Sequence, residues 1–188
     1  MPTFVTGLPL HPLVIHAVVV LVPAAVIGAV LVAVWPAARR RWGWPVVVLT
    51  ALAAVSVPLA TSTGEGLEHN LPRTPAIATH AELGDQLLVF VGPLLVVVLA
   101  LVLVDHLRRR SADRELAAAR ADGPGTMAAP RVAQGPAKVA IVVLAVLTVL
   151  LAAVSAVQVV RIGDSGARAA WGDVHYAPQP RHPGAPQD

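Results

Sequence analysis

The chain has 188 residues, enough for one compact domain and hardly two. Hydrophobic residues make up 56% and charged residues only 13%, against roughly 25% charged in soluble domains. With a mean hydropathy of +0.69, this excludes both a water-solvated globule and a mostly disordered chain. The chain has no cysteine, which removes disulfides, thiolate zinc sites, iron–sulfur ligation and c-type haem attachment.

Four apolar runs follow in chain order: Leu13–Trp35, Pro45–Ala60, Leu87–Val104 and Val139–Val160. A hydrocarbon core about 30 Å thick needs roughly 20 helical residues. Backbone groups in lipid must be satisfied within their own segment. The runs therefore predict an all-α integral membrane protein, a four-helix antiparallel bundle over residues 1–171. A signal peptide is the competing reading of the first run. It would need a basic leader, and no Lys or Arg precedes Arg39. Arg39, Arg40 and Arg41 instead follow the run, as a loop between the first two spans.

Ten basic residues fall on the side of that loop and of the connection between spans three and four, against four on the other side. The positive-inside rule then puts both termini outside the cytoplasm in a multi-pass cell-membrane protein. The basic pI near 10.5 becomes a topology signal and not a nucleic-acid footprint. Its arginines also suit anionic lipid headgroups, and Trp35, Trp42 and Trp44 bracket the loop as interfacial aromatics do. Thr74 as N-cap and Pro75 as first helical residue predict a third helix running to about Arg120. Residues 123–137 read as a flexible cytoplasmic linker and 172–188 as a disordered outer tail. Ala24/Gly28 and Ala152/Ala156 form small-residue pairs suited to helix contacts. Pro23, Pro58 and Pro93 should kink helices or shape their ends. No internal repeat of fixed period is visible.

In this topology six of seven histidines and seven of eleven acids gather on the outer side. His16 is an ionisable group inside an apolar span, which suggests a ligand, or a packing histidine bonded to a neighbouring helix. His11 precedes Pro12 at the helix entry. His11 and His16 point about 140° apart on a helix and cannot share one metal. His80 lies near Glu82, Asp85 and Gly84 on the outer extension of the third helix. A bundle that joins His16 and His80 in one outer pocket would hold haem b or a divalent metal. His11 and Glu65 come next as ligands, and Glu82, Asp85 and Asp164 are further members of the polar pocket. Glu65 and His69 share a face only if helix persists through Gly64 and Gly66. Gly163-Asp164-Ser165-Gly166 matches a serine-protease string, but an all-helical membrane chain offers no fold for that chemistry.

Gly7-Leu8-Pro9-Leu10-His11-Pro12-Leu13-Val14-Ile15-His16 resembles the opening of a family of uncharacterised membrane proteins, domain of unknown function 2231. Thr63-Gly64-Glu65, His80-Ala81-Glu82-Leu83-Gly84-Asp85 and Gly163-Asp164-Ser165-Gly166-Ala167 with Trp171 match it too, so the resemblance covers about residues 7–171. It implies four membrane helices with an outer polar face. It also implies that relatives often carry histidine where this chain has Asp164, and it lends support to a redox role. The leading expectation is a non-enzymatic haem- or metal-binding redox subunit working with a membrane partner protein. A structural or accessory subunit without cofactor is the alternative, and a small carrier using the kinked helices is the third.

Overall fold

A computed structural model describes residues 4–5, 8–72, 74–121 and 134–172. A two-residue antiparallel pairing of β1 (Phe4–Val5) with β2 (Leu8–Pro9) precedes four helices. These are α1 (Leu10–Val34), α2 (Pro36–Glu68), α3 (Pro75–Ala121) and α4 (Gln134–Trp171). All four are long and apolar enough to cross a membrane. Each packs on its neighbours in chain order, and α4 closes the ring on α1, while the α1–α3 diagonal is thin. The result is an up-down-up-down bundle with a histidine end, where α1 begins and α4 finishes, and an arginine end, where α1 passes into α2.

Helices outrun the apolar runs at both ends. At 47 residues, α3 is about 70 Å long at 1.5 Å per residue. It begins after Thr74, whose hydroxyl accepts the Ile77 N–H at 3.3 Å, as the Thr-Pro signal predicts. The arginine triplet is not in a loop, as the sequence suggested. Trp35 alone reverses the chain, with φ −118° and ψ 103°, and α2 starts at once on Pro36. A residue before proline is forced out of the helical region, and proline itself is favoured at a helix start, so Trp35-Pro36 makes a one-residue corner. Arg39–Arg41 thus lie in the first turns of α2. At the other end α2 does persist through Gly64 and Gly66. His69 Nδ1–H donates to the Glu65 carbonyl at 2.7 Å and Asn70 Nδ2–H to that of Gly66 at 2.9 Å, which satisfies carbonyls left open at a helix C-terminus. Of the expected linker, residues up to 133 lie outside the described ones. The last four, from Gln134 to Ala137, form the first turn of α4, where Pro136 is tolerated. The expected tail beyond Gly172 also lies outside the described residues.

The core runs the length of the bundle in three clusters. Val18, Val22, Val57, Leu87 and Val91 fill the histidine half, Val32, Val46, Leu94, Val98 and Ala152 the middle, and Ala33, Leu101 and Ile141 the arginine half. Pro23, Pro45, Pro58 and Pro93 lie inside their helices. The Gly28 position lies so close to α2 that a Cβ there would stand 3.1 Å from Val46. Three buried hydroxyls return to their own helices, Thr50 donating to Val46, Ser56 to Ala53 and Thr148 to Leu144, while buried Ser155 Oγ has no partner among the described residues. Gln158 reaches across instead, donating to the Leu83 carbonyl at 3.0 Å and tying α4 to α3.

At the arginine end Asp105 of α3 is buried, and its Oδ2 pairs with Arg109 and lies 3.5 Å from Arg39 Nε, an ion pair in which Nε makes no hydrogen bond. The Arg39 guanidinium also donates to the carbonyls of Val32 (3.1 Å) and Ala33 (3.2 Å). A cation thereby closes the C-terminus of α1, where the helix dipole is negative, while Asp105 ties the corner to α3.

Candidate functional site: a two-histidine cavity at one end of the bundle

A cavity of about 500 Å³ opens at the histidine end and draws on all four helices. Its floor is Val18, Val57, Leu87 and Val159, and its walls are mainly apolar. Polar groups enter it from three helices: His11 from α1, Glu65 and Glu68 from α2, and His80 and Asp85 from α3. No Lys or Arg lines it among the described residues.

The two histidines are held alike. His11 Nδ1 lies 3.0 Å from the Ala60 carbonyl and 3.3 Å from Thr63 Oγ1. A carbonyl can only accept, so His11 carries its proton on Nδ1. Thr63 spends its own hydroxyl hydrogen on the Leu59 and Ala60 carbonyls, at 3.0 and 2.9 Å. His80 Nδ1 lies 3.1 Å from Ser165 Oγ, whose hydrogen goes to the Ile162 carbonyl at 2.9 Å. His80 is therefore also the Nδ1–H donor. A neutral ring held this way has its lone pair on Nε2, the tautomer in which histidine ligates metals with a hydrogen bond on the other nitrogen.

Each ring also rests on a glycine one residue beyond its hydroxyl. A Cβ at Gly64 would stand 2.9 Å from His11 Cε1, and one at Gly166 would stand 2.9 Å from His80 Cε1. Only glycine leaves room there. Thr63-Gly64 on α2 and Ser165-Gly166 on α4 are thus equivalent cradles for histidines on the two other helices. No fixed-period repeat announces them. The signal was local: a hydroxyl residue directly before a glycine, twice, each on a helix next to one with a histidine.

The expected site residues separate. His80, His11, Glu65 and Asp85 line the cavity, but His16 does not. Its Nδ1–H donates to the Pro12 carbonyl at 2.6 Å, and it lies on the exposed face of α1. The partner brought to His80 is His11. Glu82 is exposed and outside the lining, and so is Asp164, which pairs with Arg168 one turn on at 2.8 Å. The Asp-Ser-Gly string does meet a histidine, but with polarity opposite to a protease pair. With its own hydrogen on the Ile162 carbonyl, Ser165 accepts a hydrogen bond from His80 Nδ1–H instead of donating one. Sequence reasoning missed Thr63 and Ser165 as holders of the imidazoles, and Arg39 with Asp105 as a buried clip. Among the described residues no group of three or more His, Asp or Glu is arranged to hold a metal ion.

No curated protein and no solved structure matches this sequence. A family model described as predicted membrane protein (DUF2231) matches residues 7–177, taking in all four helices and both histidine cradles. With that coverage the chain belongs to the DUF2231 family of predicted membrane proteins.

Proposed function

We propose that this protein is a multi-pass subunit of the cell membrane that binds a b-type haem between His11 and His80 and serves a membrane redox partner. One observation carries the reading: two imidazoles, each held through Nδ1 by a neighbouring helix, line one apolar-walled cavity. A bare divalent ion needs three or four protein ligands, and no such group is assembled among the described residues. A haem iron brings four nitrogens of its own and needs two axial ligands, and the macrocycle needs apolar walls. The cavity lies in the usual range for small-ligand sites, about 300–1,000 Å³. Of the three acids in the lining Glu65 and Asp85 are exposed, where water and salt screen their repulsion of propionates, and Glu68 is half-buried. When bound, the haem supplies a one-electron change at iron. His11 and His80 would hold the haem, each kept in place by its Nδ1 hydrogen bond, and Val18, Val57, Leu87 and Val159 would exclude water from it.

The test is optical. Protein purified from cells supplied with haem precursor should show a Soret band and a reduced-minus-oxidised difference spectrum. His11→Ala and His80→Ala should each abolish the spectrum, and His16→Ala should leave it intact. A wild type that stays colourless after haem is added, or a spectrum lost only in His16→Ala, overturns the haem reading. A colourless, metal-free wild type puts the accessory-subunit reading in its place.

The same reading puts the histidine end and both termini outside the cytoplasm, on the ten-to-four bias of basic residues. A reporter active only outside should work when fused after Asp188 or near Arg73, and fail near Gly125. Activity at Gly125 would reverse the orientation.

A further inference from the structure

Haem makes no use of the cavity's charge. Three carboxylates, Glu65, Glu68 and Asp85, line it, and no Lys or Arg does among the described residues. None of the three is in an ion pair among those residues. Glu68 is half-buried beside the apolar walls, and a charge drawn out of water costs free energy unless a partner meets it. Glu65 and Glu68 also stand in the last turn of α2, where the helix dipole disfavours acids and no basic residue offsets them. Acids kept in that place serve something other than helix stability.

Hydrogen-bonding capacity points the same way. The lining side chains that carry a donor are His11, His80 and Thr61. The histidines spend Nδ1–H on the Ala60 carbonyl and on Ser165 Oγ. Thr61 spends its hydroxyl hydrogen on the Pro58 carbonyl at 3.2 Å. A neutral imidazole so engaged has only an acceptor left, and a carboxylate has nothing else. The described lining therefore offers acceptors and negative charge around an apolar space. Gly84 and Gly163 widen that space, since an added Cβ at either would meet nothing within 4 Å.

We propose that the haem-free cavity binds a lipophilic organic cation, a protonated amine whose ammonium group sits on Glu68, with Glu65 one turn away adding charge, and whose apolar body occupies the cavity. An ammonium brings three donors and a positive charge to a lining that has neither to spare. The apolar walls select an amine with a hydrocarbon body over an inorganic cation. This goes beyond the haem reading and does not rest on it.

The test uses the full chain, purified in detergent without haem, and probes of one chain length: octylamine, octanol and octanoate. Only the amine should raise the melting temperature and show saturable binding by titration calorimetry. A hydrogen bond to a charged group is worth at least about tenfold in affinity, so Glu65→Gln/Glu68→Gln should weaken amine binding by that factor or more. Glu82→Gln, exposed and outside the lining, should bind as wild type does. Gly163→Phe has room for its Cβ and should fill the cavity and abolish amine binding, which separates the cavity from the detergent micelle. Helix content by circular dichroism checks the fold of each variant. Stabilisation by octanol or octanoate equal to that by octylamine, undiminished affinity in the folded double variant, or full binding in folded Gly163→Phe overturns the proposal. A protein that never takes up haem defeats the haem reading and leaves these measurements as they stand.

Discussion

Asp105→Ala should destabilise the bundle by about 3–5 kcal/mol, the range seen when one partner of a buried ion pair is removed. The reason is what it leaves behind. Arg39 is buried and cannot reach water without opening the Trp35-Pro36 corner. Its guanidinium would keep the Val32 and Ala33 carbonyls but lose its counter-charge, and Arg109 would stand beside it with like sign. Thermal melts in detergent, followed by circular dichroism, would measure the loss. Asp164→Ala is the comparison, since it breaks the pair with Arg168 at 2.8 Å, whose side chains are 75% and 59% exposed. An exposed pair is worth at most about 1 kcal/mol, so that variant should melt close to wild type. The double change Arg39→Met/Asp105→Leu should recover much of the loss, because replacing a buried pair by apolar groups removes the desolvation cost with the attraction. If Asp105→Ala and Asp164→Ala melt alike, the clip contributes nothing beyond a surface pair.

The sequence makes the four helices legible because composition names the solvent. An apolar run of spanning length in lipid has no option but helix, and the Thr74-Pro75 start is local chemistry that needs no tertiary information. The corner at Trp35 was written in the sequence as well, but Pro36 stands just past the end of a run whose bounds were set by hydropathy alone. A helix can begin in polar sequence, so the arginine triplet looked like a loop. Persistence through Gly64 and Gly66 depends on tertiary contact: the His11 ring fills the space that glycine leaves on α2, and it approaches from a helix some fifty residues earlier. The same limit separates His11 from His16. Along one helix the two point to different sides, but no sequence rule says which side faces α2 and α3. His16 looked sharper because it lies deeper in an apolar run. Depth along a helix and direction around it are separate coordinates, and only packing of the whole bundle sets the second.

Gly64→Ala and Gly166→Ala should separate helix stability from cofactor binding. In a helix interior alanine is favoured over glycine by roughly 0.5–1 kcal/mol, so on local grounds each change should hold or raise the melting temperature of the cofactor-free protein. The new Cβ at Gly166 would stand 2.9 Å from His80 Cε1 and 3.2 Å from its Nδ1, closer than real contacts allow. The ring cannot retreat along its own bond direction without leaving Ser165 Oγ at 3.1 Å. The Gly64 change presses His11 in the same way against its Ala60 and Thr63 partners. Each substitution therefore displaces an imidazole or strips its Nδ1 hydrogen bond, and if these rings hold a haem, disturbing such a partner would cost roughly tenfold to hundredfold in metal affinity. Gly92→Ala supplies the control: the same helix gain on α3, with nothing within 4 Å of the added carbon. Haem titration of the three purified variants, followed in the Soret region and paired with melts of each without haem, reads both quantities. The expected pattern is weakened haem binding at Gly64 and Gly166 with a cofactor-free melting temperature below that of Gly92→Ala, and unchanged binding with held or raised stability at Gly92. Haem affinities equal to wild type at Gly64 and Gly166 would mean the imidazoles do not bind from these cradles, and the two-histidine site would fall with them.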